Sequence, residues 1–318
     1  MVNVVLYAHR WTPEMFAPVP PQFPDVHFII PNNDEEFEAA LPQADVLFGS
    51  FTNEQYRLVK NLKWVQYQGS GVNWITSVPE FLEDGILLTN TRGAHASTIA
   101  EHTFGLLIGL SRGLYPLAID QHNHHWRRPL ADPAVGLDGY TIGILGYGKI
   151  GQAVAERAVA FNMQVVCCDV FPVQENQTVK KAYTFDQLDA FLSSVNFLVI
   201  TAPLTEQTER LIGLKEMKAL QHPSYLISVS RGGIVNEDDL KTALIHGDLD
   251  GAGLDVQVKE PLPADSYLWD LPHFILTPHC SGESLQTNAH ILKIFADNLR
   301  HFLKSESLMN LVDKKKGF

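Results

Sequence analysis

The chain has 318 residues and a mass of 35.5 kDa, and its 45% hydrophobic and 19% charged residues are typical of a globular protein. Its formal net charge of −12 argues against nucleic-acid binding and against a polybasic membrane anchor. The uncharged run from residue 102 to 111 is too short to cross a bilayer, and the first residues show no secretory signal. We therefore expect a cytoplasmic protein without nucleic-acid or membrane partners.

The cysteines show no spacing that indicates a disulfide framework or a zinc site. Cys167 and Cys168 are adjacent and end a predicted strand, which favours packing in the core. Cys280 lies next to a histidine and is either a packed small residue or a redox-sensitive one. No metal site is expected.

Short apolar runs alternate with helical patterns, which predicts a parallel α/β architecture. In the first hundred residues the predicted strands are 2–7, 45–48, 62–67 and 86–89, and the predicted helices are 35–41 and 53–60. Two of these strands end in glycine–serine loops, at Gly49-Ser50 and at Gly69-Ser70-Gly71. Backbone N–H groups in such loops can bind an anion.

A second α/β series follows a buried helix predicted at 99–110. Its predicted strands are 141–145, 164–168, 197–201, 225–229, 251–255 and 274–277. The last helix, 284–303, is predicted to bury one stripe formed by Leu285, Leu292, Phe295, Leu299 and Phe302. Residues 314–316 are predicted to be a solvated tail.

The polar stretch at 120–133 contains His122, His124, His125 and Trp126. We interpret it as a solvated loop or a subunit-interface arm rather than as a metal site, because no further ligand type recurs there at a regular spacing.

A G-x-G-x-x-G motif lies between a predicted strand and a predicted helix at Gly146-Tyr147-Gly148-Lys149-Ile150-Gly151. Gly146 permits the tight turn, Gly148 lets the backbone approach a pyrophosphate, and Gly151 lets the helix pack on the strand. The helix N-terminus, with Lys149 and Ile150, would hold the anion. Asp169 ends the next strand and would accept hydrogen bonds from ribose hydroxyls while repelling a 2′-phosphate, which favours NAD over NADP.

Three titratable residues each follow a predicted strand on the same edge as the glycine loop: Arg231, Glu260 and His279. Histidine is the natural proton donor to a carbonyl near neutral pH. A carboxylate beside it would orient the ring, and arginine would hold a substrate carboxylate and polarise the carbonyl.

At these motifs the sequence resembles the D-isomer-specific 2-hydroxyacid dehydrogenase family over nearly the whole chain. The resemblance implies that Arg231 binds substrate and that Glu260 pairs with His279, the acid/base. It further implies substrate binding by Ser70, Gly71 and Val72, and cofactor contacts by Pro203 and Asp255. Segment 98–102, which begins with Thr98, resembles the family's segment beside the nicotinamide, and Thr98 is expected to contact the cofactor.

The resemblance also implies two doubly wound parallel-sheet domains, with a Rossmann cofactor domain inserted into a flavodoxin-like substrate domain. The expected substrate domain is 1–98 with 284–318, and the expected NAD-binding domain is 99–283. Family members are usually homodimers joined through the cofactor domain, and a cleft between the domains closes on substrate.

The expected activity is NAD(H)-dependent interconversion of a small 2-keto acid, such as glyoxylate or hydroxypyruvate, and its D-2-hydroxy acid. Loop 49–53 contains no Arg or Lys, which disfavours the alternative of a phosphoglycerate dehydrogenase. Formate oxidation is disfavoured because those relatives usually pair the histidine with Gln rather than with a residue like Glu260. A second alternative is an NAD-sensing, corepressor-like binding protein. Phe51, Trp74 and Trp126 are candidates for lining a compact pocket.

Overall fold

The computed structural model describes residues 1–128 and 134–315. Residues 129–133 of the polar stretch and Lys316 of the predicted tail lie outside the described residues. The chain divides into two compact units, each of which is described by itself. The first comprises Met1–His95 together with the chain from Ser284 onward, and the second comprises Ala96–Glu283.

In the first unit, the described residues form a parallel sheet of five strands in the order β2-β1-β3-β4-β5. The strands are β1 Val2–Leu6, β2 Val26–Ile29, β3 Val46–Phe48, β4 Trp64–Gln66 and β5 Leu87–Thr89. The helices are α1 Asp34–Ala40, α2 Asn53–Tyr56 and α3 Pro79–Glu83. This is the flavodoxin-like order, which has its switch point between β1 and β3. Strand β2 is not among the predicted strands, because its apolar run is short and follows a proline-rich segment.

In the second unit, the described residues form a parallel sheet of seven strands in the order β12-β11-β10-β9-β6-β7-β8. The strands are β6 Thr141–Leu145, β7 Gln164–Asp169, β8 Val179–Thr184, β9 Phe197–Ile200, β10 Tyr225–Ser228, β11 Gly251–Leu254 and β12 Phe274–Leu276. The strand order reverses between β6 and β9, as in Rossmann folds, whose ligands bind at this switch point. The predicted fold class is therefore confirmed in both units.

Helices cover the second sheet on both faces, and each face has its own buried apolar cluster. The helices are α4 Ala96–Ser111, α5 Leu114–His122, α6 Lys149–Ala160, α7 Leu188–Leu192, α8 Leu214–Lys218 and α9 Glu237–His246. Short 3₁₀ helices in the two units span Pro13–Phe16, Pro20–Gln22, Leu41–Gln43, Asn73–Ser77, Phe185–Gln187 and Tyr267–Asp270. Helix α4 is buried along Ile99, Phe104 and Leu107, in agreement with the apolar pattern of its sequence.

Helix α10, Leu285–Leu303, packs on the first sheet. Leu292, Phe295 and Leu299 are buried, but Leu285 is 84% exposed, so the predicted stripe is wrong at its first member. Leu285 is the first residue of the helix after its N-cap, Ser284. Thr287 of the same turn is buried, so at the start of this helix the apolar spacing alone does not predict which side chain is covered.

The prediction of a solvated tail is wrong at Lys314, whose side chain is only 11% exposed. The segment before it pairs with β5, because Leu311 forms an antiparallel bridge with Thr89 and the Val312 N–H donates to the Leu88 carbonyl. The Lys314 amine then reaches the Asp84 carboxylate at 2.6 Å. A lysine stem is apolar and its amine can cap carbonyls, which composition alone does not reveal.

Within residues 1–128 and 134–315, no helix is both long enough and apolar enough to cross a bilayer.

Candidate active site

The glycine loop follows β6 and leads directly into α6. Gly146 has φ 91°, and a Cβ on it would lie 2.6 Å from the backbone nitrogen of Ala202, so both the conformation and the space require glycine. At Gly148 a side chain would meet no described atom within 4 Å. Because Gly148 is the N-cap of α6 and has no capping side chain, the first N–H groups of this helix can receive an anion. These features fit the pyrophosphate of a dinucleotide.

Asp169 lies beside this loop at the end of β7. Its carboxylate accepts hydrogen bonds from the N–H of Tyr147 at 2.6 Å and from that of Phe171 at 2.9 Å. The acidic group is thus fixed where a ribose attached to the pyrophosphate would be expected. Of the other predicted cofactor residues, Pro203 is exposed in the loop after β9, and Thr98 is half-buried in α4.

His279 and Glu260 form a close pair. The Nδ1 atom of His279 lies 2.7 Å from Oε2 of Glu260, and Oε1 of Glu260 accepts the N–H of Gln257 at 3.0 Å. Both side chains are partly exposed. Since a carboxylate only accepts, Nδ1 carries the proton in this pair, and Nε2 remains available for proton exchange.

Arg231 follows β10, and its segment abuts the one that carries Glu260. A Cβ on Gly232 would overlap the carbonyl of Gln257, so the two backbones are in direct contact. The next N–H, of Val258, donates to Glu237 at 2.7 Å. Strands β10, β11 and β12 are neighbours, so Arg231, Glu260 and His279 follow three adjacent strands at one edge of the sheet.

Asp255 is fully buried and organises the loop after β12. It accepts the Thr277 hydroxyl at 2.6 Å and the N–H groups of Cys280 and Ser281 at 3.0 and 2.9 Å. His102 of α4 lies 3.0 Å from the Thr277 hydroxyl. The resemblance implies that segment 98–102 lies beside the nicotinamide, but it gives no separate role to His102 or Thr277. His102 lies one helical turn after Thr98 and shares its helix face.

Three possible metal ligands converge near this loop: atoms of His102, Asp255 and Cys280 lie within 4.8 Å of one another. Both oxygens of Asp255 already accept hydrogen bonds from the chain, and these bonds explain why the three side chains lie close together without a metal ion. Burial, with Asp255 and Glu283 nearby, raises the pKa of the Cys280 thiol. Burial likewise raises the pKa of Cys167 to about 12 and that of Cys168 to about 11, so both are packing residues.

In the first unit, Ser70, Gly71 and Val72 form part of the loop after β4. Ser70 is exposed and Val72 is buried. The Ser70 carbonyl accepts the side-chain amide of Asn90 at 2.8 Å, and the Gly69 carbonyl accepts the N–H of Thr91 at 3.1 Å. The loop is therefore held from β5.

The aromatic residues predicted to line a pocket have different environments. Phe51 is buried, with its ring 5.2 Å from that of Trp74 and 5.1 Å from that of Phe81. Phe51 is therefore part of the core of the first unit. Trp126, in the second unit, is 93% exposed.

Residues 104–281 match the family model for the NAD binding domain of D-isomer specific 2-hydroxyacid dehydrogenases. The chain is also 32% identical over 291 residues to glyoxylate/hydroxypyruvate reductase B of Yersinia pestis, covering 90% of this chain and 89% of that protein. The chain belongs to the D-isomer specific 2-hydroxyacid dehydrogenase family. It is accordingly an oxidoreductase that acts on a CH–OH group, and the resemblance seen in the sequence is confirmed.

Solved structures of the family agree with this assignment. A family member from Aeromonas salmonicida superposes with a TM-score of 0.84 at 28% identity, covering 98% of this chain and 99% of that one. An NADPH-dependent glyoxylate/hydroxypyruvate reductase from Sinorhizobium meliloti, solved with NADP and sulfate, superposes with a TM-score of 0.83 at 25% identity over the full length of both chains.

Proposed function

We propose that this 2-hydroxyacid dehydrogenase reduces a small 2-keto acid, of the glyoxylate or hydroxypyruvate type, to its D-2-hydroxy acid with NADH. The observation that carries the proposal is the 2.7 Å pair of His279 and Glu260, on strand ends adjacent to the one that carries Arg231. A proton donor, a carboxylate that orients it and a cation for the substrate carboxylate are what reduction of a keto acid requires.

In the proposed mechanism, a nicotinamide held at the loop after β6 would supply the hydride for the carbonyl carbon. His279 donates the proton on its Nε2 to the carbonyl oxygen, and Glu260 stabilises the imidazolium from which the proton leaves. Arg231 binds the substrate carboxylate and polarises the carbonyl through its planar fork of N–H groups. In the oxidative direction the same histidine accepts the hydroxyl proton.

We assign the cofactor to the loop after β6. Gly146, Gly148 and Gly151 shape the loop, and the N–H groups that begin α6 at Lys149 and Ile150 hold the pyrophosphate. Asp169 supports a preference for NAD, because its carboxylate would repel a 2′-phosphate. The Sinorhizobium relative is NADPH-dependent, so Asp169→Ala is a direct test, with a fall in the NADH:NADPH ratio of kcat/KM expected. A wild-type enzyme that prefers NADPH would contradict this assignment.

Thr98, Pro203 and Asp255 are proposed as further cofactor contacts. In the first unit, Ser70, Gly71 and Val72 are proposed to bind the substrate carboxylate through backbone N–H groups. The loop at 49–53 of the same unit contains no Arg or Lys. This favours an unphosphorylated keto acid over 3-phosphohydroxypyruvate.

The test is a panel of 2-keto acids, including glyoxylate, hydroxypyruvate, pyruvate and 3-phosphohydroxypyruvate, assayed by NADH and NADPH oxidation. We expect glyoxylate or hydroxypyruvate to give the highest kcat/KM. His279→Gln should lower kcat by about 10²–10⁴ while NADH still binds. Arg231→Ala should mainly lower kcat/KM for the keto acid. Full activity of His279→Gln would overturn the acid/base assignment, and NADH binding without turnover of any keto acid would favour a binding protein.

We also propose a homodimer joined through the second unit. Helix α5 exposes Leu114, Tyr115 and Ile119, and Trp126 follows shortly after it, so large apolar side chains cluster in one segment. A second copy of this chain would bury them. Light scattering after gel filtration should give twice the chain mass, and Tyr115→Asp with Ile119→Asp should give a monomer. A monomeric wild type at micromolar concentration would contradict the proposal.

A further inference from the structure

The loop that carries His279 has a backbone conformation that must be held in place. His279 has φ 54°, in the left-handed region that a non-glycine residue rarely adopts. Its N–H donates to the Asp255 carbonyl at 2.8 Å, and the next two N–H groups, of Cys280 and Ser281, donate to the Asp255 carboxylate. The orientation of the imidazole therefore depends on the position of Asp255.

A second pair of residues fixes one oxygen of that carboxylate. The Thr277 hydroxyl lies 2.6 Å from Asp255 Oδ1, and because a carboxylate only accepts, the hydroxyl proton points to Asp255. The Thr277 oxygen is then an acceptor for Nε2 of His102, 3.0 Å away. His102 must therefore carry a proton on Nε2. The same nitrogen lies 3.7 Å from Asp255 Oδ1, which adds a favourable electrostatic contact if the ring is charged.

We propose that His102 is a positioning residue for the acid–base step of this enzyme. It donates through Thr277 to Asp255 and so keeps loop 277–281 in the conformation that presents His279 to the substrate. His102 takes no part in the proton transfer itself. The inference rests on the proposed role of His279, and it adds a residue of α4, distant in sequence from β12, to the machinery of the reaction.

The competing explanation is that His102 contacts the cofactor. It lies one turn after Thr98, which we propose as a cofactor contact, so the two roles must be separated by measurement. A cofactor contact affects the Kd for NADH. A positioning residue affects the chemical step and the loop, and it is replaceable by another donor of similar reach.

Two pairs of variants separate these roles. His102→Leu removes the donor and His102→Gln keeps one; Thr277→Val removes the hydroxyl and Thr277→Ser keeps it. We expect His102→Leu and Thr277→Val to lower kcat at least about tenfold, since small misplacements of a reacting group are costly. The solvent isotope effect on kcat should rise. Because Asp255 is also a proposed cofactor contact, the Kd for NADH can shift as well, but kcat should fall by a larger factor than the Kd for NADH rises.

The conservative variants, His102→Gln and Thr277→Ser, should restore most of the rate. The double variant that combines His102→Leu with Thr277→Val should be no slower than the slower of the two single variants, because the two side chains act in one chain of hydrogen bonds. Losses that multiplied in the double variant would show that the two residues act independently, which would contradict the proposed chain.

A second measurement needs no substrate. Amide hydrogen exchange at Cys280 and Ser281 should be faster in His102→Leu than in wild type and close to wild type in His102→Gln. Unchanged exchange and unchanged kcat in His102→Leu would overturn the inference, as would weaker NADH binding with unchanged exchange. If wild type reduced no keto acid, the proposed function would fail, while the exchange data would still decide whether His102 holds the loop.

Discussion

Replacing Lys314 by alanine should destabilise the first unit by about 2 kcal/mol. The Lys314 amine donates to the carbonyls of Phe81 and Asp84 and to the Asp84 carboxylate, and the two side chains are only 11% and 20% exposed. Breaking a buried pair from one side costs about 3–5 kcal/mol. Asp84 would retain the Tyr56 hydroxyl and the Ile86 N–H, so its charge would not be left without partners. We therefore place the loss below that range.

The neighbouring residue provides a matched control. Lys315 pairs with Glu83 at 3.3 Å, but these side chains are 73% and 72% exposed, and such a pair contributes about 0–1 kcal/mol. Lys315→Ala removes the same charge one residue away. The Lys314 amine lies 4.3 Å from the centroid of the Phe81 ring. Lys314→Met keeps an apolar side chain near this ring but removes the amine, and so separates the contribution of the apolar stem to stability from that of the amine.

The assay is urea unfolding followed by tryptophan fluorescence, because Trp11, Trp64 and Trp74 all lie in the first unit. The urea concentration at the midpoint of unfolding of the first unit should fall in Lys314→Ala and remain near that of wild type in Lys315→Ala. The dependence of the free energy of unfolding on urea should be similar in all three proteins. Lys314→Met should lie between them. If the two alanine variants differed by less than about 0.5 kcal/mol, the reasoning from burial would be refuted, since burial is what distinguishes the two ion pairs.

Three further experiments test the site. Gly232→Ala should abolish most turnover, because its Cβ would overlap the Gln257 carbonyl beside Arg231. The control is Gly105→Ala, at an exposed helix position with no described neighbour within 4 Å, which should keep activity and gain about 0.5–1 kcal/mol in stability. Normal kinetics in Gly232→Ala would refute the close contact. Glu260→Gln should lower kcat by a larger factor than it changes the Kd for NADH, since a neutral amide stabilises an imidazolium less than a carboxylate does; unchanged kinetics would contradict this role of the carboxylate. Alkylation of Cys280 by iodoacetamide at pH 8 should be slower than in the urea-unfolded chain and should accelerate above pH 9, because its raised pKa leaves less thiolate; a rate equal to that of the unfolded chain would contradict the shift.

The strands that the sequence predicted correctly are those with unbroken apolar runs. Strand β6 and the residues after it were found because a buried parallel strand and a glycine turn each leave a local pattern. Strands β2 and β8 were missed. Strand β8 is an edge strand whose sequence, Val-Lys-Lys-Ala-Tyr-Thr, alternates poorly and carries lysines that face solvent.

Errors at Leu285 and Lys314 share one physical origin. Periodicity gives the direction in which a side chain points, but burial also requires another part of the chain to lie there. Leu285 has the spacing of the apolar stripe and is nonetheless 84% exposed, whereas Lys314 follows a segment that pairs with β5 and is largely buried. These outcomes depend on where distant segments end, which no local pattern records.

The same distinction explains which parts of the active site were predictable. Arg231, Glu260 and His279 follow strands that are far apart in sequence, and the parallel order β10-β11-β12 brings their ends to one edge. That order follows from the Rossmann rule once β6 and its glycine loop are recognised. The link from His102 through Thr277 to Asp255 follows from no such rule, because it depends on how α4 packs against the sheet to within a hydrogen-bond length. Strand order thus determines which residues can meet, whereas helix packing determines how rigidly they are held, and only the first is encoded in short motifs.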